Sequence, residues 1–165
     1  MRLFATPSDV PRLGLGGFHV GKIADADLAV EIVRRAIDAG FAMLDNAWDY
    51  HGGESERRVG RALAAPGYRE RVAVMTKVDS RSYDGVMRQL EQSLARLGLA
   101  RLDLLQLHEV IRSGDAADAV SRGGLRALAE LREQGVVGRI GITGHKDPRF
   151  LVDIIDAAAA EGIVV

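Results

Sequence analysis

VAVMTKVDSRSYDGVMRQLEQSLARLGLARLDLLQLH, residues 72–108, reads as a strand, a helix and a second strand. Its two ends, VAVMTK (72–77) and LDLLQLH (102–108), are short apolar runs bounded by turn signals, as strands buried in a parallel sheet are. Between them Val86, Met87, Leu90, Leu94 and Leu97 recur at helical spacing over 84–97, and Gly98 supplies a stop. A strand, helix and strand of this length make a βαβ unit, whose right-handed crossover sends both strands in one direction. Outward from this unit the pattern repeats. LGLGG (13–17) and FAMLD (41–45) lie upstream and RIGITG (139–144) downstream, with helical patterns over 27–39, 54–65, 124–134 and 148–160. The first of these helices has Leu28, Ile32, Val33, Ala36 and Ile37 on one stripe, with Asp25 or Asp27 as its N-cap and Gly40 as its stop. The steps from Asp45 to Lys77, to His108 and to Thr143 each take about thirty residues, the size of one βαβ unit.

The predicted fold is therefore α/β, a partial (β/α)8 TIM-type barrel of about five βα units, with the strands adjacent in chain order. The competing architecture is a doubly wound, flavodoxin-like open sheet of order 2-1-3-4-5, which would bind a small ligand at its switch point. LGLGG is not expected to run directly into a helix, which argues against a dinucleotide fingerprint. The run GDAADAVSRGG (114–124) reads as a long loop on the rim after the fourth strand, and residues 161–165 as the opening of a sixth strand. The 165 residues are read as one domain, 1–165. They amount to roughly two thirds of the ~250 that a closed barrel takes, so the C-terminal part of the barrel is expected to be missing.

Parallel strands joined by right-handed crossovers share one C-terminal rim, where catalytic groups of barrel enzymes sit. Four polar side chains fall at or just beyond these strand ends: Asp45 and Tyr50 after FAML, Lys77 closing VAVMTK, and His108 closing LDLLQLH. An acid, a phenol, an amine and an imidazole meeting there make a proton-transfer site. Trp48 and His51, beside Tyr50, are candidates for the substrate pocket, and Gly16 and Gly17 would let a ligand approach the backbone closely.

The segment LDNAWDYHGGESERRVGRAL (44–63), with MTK (75–77), LLQLHE (104–109) and GRIGITGH (138–145), resembles the aldo-keto reductase family over essentially the whole chain from Leu13. The resemblance implies a (β/α)8 barrel that reduces aldehydes or ketones to alcohols, with Asp45, Tyr50, Lys77 and His108 as its catalytic tetrad. It implies NADP(H) as coenzyme, with NAD(H) as the alternative, and a small carbonyl or alcohol substrate. Asn46 stands where the family more often has Thr. Thr143 and Gly144 stand where many relatives carry a Ser-Asn pair that holds the nicotinamide carboxamide. With Gly16 and Gly17 these are the expected cofactor-binding positions.

The chemistry is of a feasible size. Bringing a phenol from a free pKa near 10 towards neutrality takes roughly 4 kcal/mol. A cation about 4 Å away contributes on the order of 4 kcal/mol at an effective dielectric of about 20. An acid beside the amine would keep it charged in a buried site, and an imidazole can orient the carbonyl.

The net charge of −1 without a basic block disfavours nucleic acid and anionic membranes as partners. The absence of cysteine removes disulfides and thiolate metal sites. His19, His51, His108 and His145 have no metal-motif spacing, so no metal is expected. No secretory or membrane-spanning pattern is present, and the cytoplasm follows by default. Open sheet edges predict self-association, and a catalytically inactive barrel remnant or interaction module is the alternative to an enzyme.

Overall fold

A computed structural model describes residues 13–165; residues 1–12, the start of the expected domain, lie outside that range. Five strands, β1 (Gly14–Gly16), β2 (Met43–Asp45), β3 (Ala73–Val78), β4 (Leu102–Leu107) and β5 (Val137–Ile142), form one sheet in the order 1-2-3-4-5. Every neighbouring pair is parallel. That order is the barrel's and excludes the doubly wound 2-1-3-4-5 alternative.

The helices are α1 (Gly17–Lys22), α2 (Ala26–Asp38), α3 (Glu54–Leu63), α4 (Tyr83–Leu97), α5 (Asp115–Ser121), α6 (Gly124–Glu133) and α7 (Pro148–Ala160). Their ends follow from local chemistry. The Asp25 carboxylate accepts from the amides of Asp27 (2.9 Å) and Leu28 (3.1 Å) at the head of α2. Ser82 accepts from Gly85 N at 3.3 Å at the head of α4, and α4 ends on Gly98 at φ 66°, where glycine has no Cβ penalty. Caps of this kind contribute about 1 kcal/mol each.

The helices pack in a row, α2 on α3, α3 on α4, α4 on α6, α6 on α5 and α5 on α7. They cover one face of the sheet. The register aligns Leu44 with Val74, Thr76 with Leu105, and Leu105 with Ile140 on that face, and all of these are buried. Alternate residues face the other way: Asp45 is aligned with Met75, Lys77 with Gln106 and Leu104 with Arg139. On that side Asp45, Leu104 and Gln106 are partly buried and Arg139 is exposed.

Four expectations change. In α2 the buried stripe is Ala29, Val30, Val33 and Ile37, while Leu28 lies outside it, 47% exposed. The helix begins one residue earlier than its apolar pattern, and Leu28 falls in the first turn beside the cap. A short helix, α1, does begin at Gly17, the last residue of LGLGG, and it is the strand order that sets this sheet apart from a Rossmann fold. Residues 114–124 are mostly helix, α5, because Asp115 is wholly buried and accepts from the amides of Ile111 (2.8 Å) and Arg112 (2.9 Å), which fastens the chain entering it. Residues 161–165 turn at Gly162 (φ 70°) and form no strand; the Ile163 amide returns to Ala158 O at 2.8 Å.

Candidate active site

The C-terminal ends of β2, β3 and β4 carry Asp45, Lys77 and His108, and a 3-10 turn (Tyr50–Gly53) leading into α3 carries Tyr50. Lys77 is the hub. Its Nζ donates to Asp45 Oδ1 at 2.5 Å and to Asn46 O at 2.7 Å, and lies 3.5 Å from the Tyr50 hydroxyl. The Lys77 side chain is 6% exposed and that of Asp45 36%, so the pair opens to solvent through the acid. A buried ammonium needs such a counter-charge to stay protonated. The Tyr50 and His108 rings meet edge-on, 5.8 Å between centroids. All four tetrad residues are thus brought together at one end of the sheet.

The loop between β2 and α3 is held from the helical side. Trp48 N donates to Lys77 O at 3.0 Å, and Arg96 of α4 donates to Trp48 O at 2.8 Å. Arg96 is anchored by Glu56, wholly buried on α3, whose other oxygen accepts from the Thr76 hydroxyl at 2.7 Å. The Trp48 indole donates to Gln92 at 2.7 Å with the Arg96 guanidinium 5.7 Å from its ring centre, so its contacts run to α4 rather than to Tyr50. His51 stacks at a tilt on Phe18, 4.8 Å between centroids, and Phe18 meets Tyr50 edge-on at 5.3 Å. His51 adopts φ 52°, an uncommon conformation for a non-glycine residue, next to the phenol.

Of the expected cofactor positions, Gly16 faces open space, where an added Cβ would meet nothing within 4 Å. Gly17 is bare for packing reasons: a Cβ there would fall 2.6 Å from Asn46 Oδ1 and 2.7 Å from Ser55 Oγ. Asn46 is buried, its Oδ1 accepts from Ala47 N at 3.2 Å, and its Nδ2 has no hydrogen-bond partner among the described residues. The Thr143 hydroxyl accepts from Glu109 N at 3.3 Å and keeps its own proton to donate. Gly144 has no room for a side-chain amide, since a Cβ would fall 2.5 Å from Val110 O and 3.0 Å from Leu151. An unpaired buried donor, a free hydroxyl and an open backbone face fit the amide end of a nicotinamide.

The sequence profile of the aldo/keto reductase family matches residues 12–161. The chain belongs to the aldo/keto reductase family. It is 37% identical over 150 residues to an aldo-keto reductase of Mycolicibacterium vanbaalenii, covering 88% of this chain and 49% of that protein. It is 30% identical over 157 residues to methylglyoxal reductase DkgB of Salmonella typhimurium, covering 93% and 55%. Its fold superposes on an aldo/keto reductase from Klebsiella pneumoniae in complex with NADP and acetate with a TM-score of 0.79 at 28% identity, covering 94% of this chain and 53% of that one. This family member thus spans about half the length of the relatives it matches.

Two groups at the site escape the sequence pattern. Asp49 places Oδ1 3.3 Å from His108 Nδ1. The hydrogen bond to His108, with the charges of His108 and Lys77 adding to it against burial, holds the Asp49 carboxyl below the usual carboxylate range. Only its place between two known motif positions could have singled it out. Arg81, buried, donates to the carbonyls of His108 and Glu109 at 2.9 and 2.8 Å and pairs with Asp115 at 3.3 Å. Burial raises the Asp115 pKa, but the Ile111 and Arg112 amides and the two guanidiniums outweigh it and bring it down to about 2. The bridge between Arg81 and Asp115 is long-range, and no local pattern announces it.

Among the described residues no helix is long and apolar enough to cross a membrane.

Proposed function

We propose that these five βα units carry the proton-transfer end of an NADP(H)-dependent oxidoreductase, with NAD(H) as the alternative coenzyme, that reduces aldehydes or ketones to alcohols in the cytoplasm. The observation that carries this reading is the Lys77 ammonium, 2.5 Å from Asp45 and 3.5 Å from the Tyr50 oxygen. Bound at the rim, NADP(H) supplies the hydride; Thr143, Asn46 and the backbone at Gly16 would hold its nicotinamide end, with no side-chain amide at Gly144.

Tyr50 then holds the transferable proton at its hydroxyl and gives it to the carbonyl oxygen as negative charge develops there. Lys77 stabilises the phenolate left behind, and Asp45 keeps Lys77 charged. His108, oriented by Asp49 through Nδ1, donates to the carbonyl from its other ring nitrogen and aims it at Tyr50. His51 and Phe18 line the approach. Trp48 serves the pocket through the loop that it anchors. The alcohol-oxidising direction uses the same groups. Among the described residues β1 and β5 are the edge strands of the sheet, and they are proposed to pair with another chain, as open parallel sheet edges do.

The test is coenzyme oxidation by a closed barrel built on this sequence, followed with small aldehydes as substrates. NADPH consumption dependent on aldehyde is expected. A barrel that binds NADPH yet turns over no carbonyl would point to the inactive remnant instead.

A further inference from the structure

His108, Glu109 and His145 each offer a ligand atom, and these atoms lie within 4.8 Å of one another. They come from the ends of two neighbouring strands, β4 and β5, which is why no spacing in the sequence announces them. Three features make the cluster more than a chance meeting. His108 already bonds a carboxylate through Nδ1, 3.3 Å from Asp49, and this pairing is the one that orients an imidazole towards a metal through its second nitrogen. Neither the Glu109 carboxylate nor the His145 ring has a hydrogen bond or ion pair among the described residues. Glu109 is held at φ 52°, with its amide donating to Thr143 and its carbonyl accepting from Arg81. A backbone cost accepted at that position keeps the carboxylate beside the two imidazoles.

Two imidazoles and one carboxylate are a donor set for zinc(II) and its near relatives, at about 2.0–2.2 Å per ligand. Ligand atoms around such an ion lie roughly 3.4 Å apart in a tetrahedron. The cluster therefore has to contract by at most a little over an ångström. His108 is buried and fixed, but Glu109 and His145 are exposed side chains with rotatable bonds and can make that move.

We propose that His108, Glu109 and His145 form a transition-metal site of the zinc(II) type, and that an ion bound there shuts off carbonyl reduction by occupying His108. The binding half stands on the cluster alone; the inhibitory half rests on the function proposed above. A hard cation such as magnesium, which demands oxygen ligands, is not accepted.

The test is calorimetric titration of the 165-residue chain with zinc(II), with cobalt(II) absorption as a second probe of coordination. Saturable binding tighter than ~100 µM is expected. His145→Ala and Glu109→Gln, neither of which has a part in the proposed reduction, should each weaken it ~10-fold or more. A His19→Ala, His51→Ala double variant should keep the parental affinity. Weaker binding in the parent, or unchanged binding in His145→Ala and Glu109→Gln, overturns the site. In a barrel that turns over, zinc should inhibit the parent and spare His145→Ala; bound zinc without inhibition overturns the shut-off. Binding is read without turnover, so loss of the site and failure of the reductase reading give different results.

Discussion

The two faces of this sheet are built from the same strands and do opposite work. Residues one apart in sequence fall on opposite sides, so β3 sends Thr76 into the helical layer and Lys77 to the rim site. On the helical side the layer is mostly apolar or paired: Leu44, Val74 and Leu105 are at most 2% exposed, and the buried acid Glu56 is met by Thr76 and Arg96, while Ser93 Oγ and Arg58 Nε have no partner among the described residues. On the other side Asp45 and Lys77 form one ion pair that opens to solvent through the acid, and Gln106 Oε1 has no partner among the described residues. Stability is lodged in one face, and the proposed chemistry lies at the other. The helical face also serves the chemistry at a distance, since the Thr76, Glu56, Arg96 and Trp48 chain holds the loop that carries Tyr50.

The largest effect that would break this division is Lys77→Met. It deletes the hub of the open face and leaves the Asp45 carboxylate without its partner, so carbonyl reduction in a closed barrel should fall by ~10² to 10⁴. Steady-state rates with a small aldehyde check it, with far-UV circular dichroism to show that the sheet survives.

Asp115→Ala should come next. It strands Arg81 in a buried position and removes the carboxylate that receives Ile111 and Arg112, at a cost of about 3–5 kcal/mol in urea unfolding. The acid behaviour follows from the same group. Its folded pKa is depressed to about 2, so its contribution is complete above the ordinary carboxylate range near 4 and is lost as pH falls through about 2. The parent's stability should therefore fall across that window, and the stability of Asp115→Ala should fall less.

A smaller contrast sharpens the comparison within a single strand. Leu105, fully buried against the helices, and Leu104, partly buried on the open face, are neighbours in β4. Leu105→Ala should cost ~3 kcal/mol or more and Leu104→Ala about 1 kcal/mol, both read from urea midpoints. Equal costs would mean that the two faces are covered alike.

The strands and the strand-end side chains Asp45, Lys77 and His108 were legible because both follow from period and strand-end position: FAMLD, VAVMTK and LDLLQLH each stop where a polar residue begins the rim, while the expectation that these three act with Tyr50 as a tetrad came from the family resemblance. It was less informative wherever a single side chain overrides pattern. DAADAVS carries only a short stripe, Ala116 and Ala119, that packs on the core, and the buried Asp115 fastens the chain that enters α5. Leu28 looked like core because it is apolar and correctly spaced, yet the Asp25 cap sets the helix phase so that Ala29 and Val30 face inward. Asp45 and Asp49 are both acids near one motif; Asp45 was expected beside Lys77, and only the fold shows that Asp49 reaches His108. Gly17 and Gly144 read as places for a ligand, whereas contacts with Asn46, Ser55, Val110 and Leu151 already require them to be bare.

The most direct test of the open face as the seat of the chemistry is Tyr50→Phe in a closed, coenzyme-binding barrel. The substitution removes one hydroxyl, 3.5 Å from Lys77 Nζ, and keeps the ring that packs on Phe18 and His108. Carbonyl reduction should drop by the ~10² to 10⁴ that general acid catalysis supplies, while coenzyme affinity stays within about twofold. Reduction of aldehydes at the parental rate by Tyr50→Phe would contradict the assignment of the proton donor, and with it the reading of this rim as the active site.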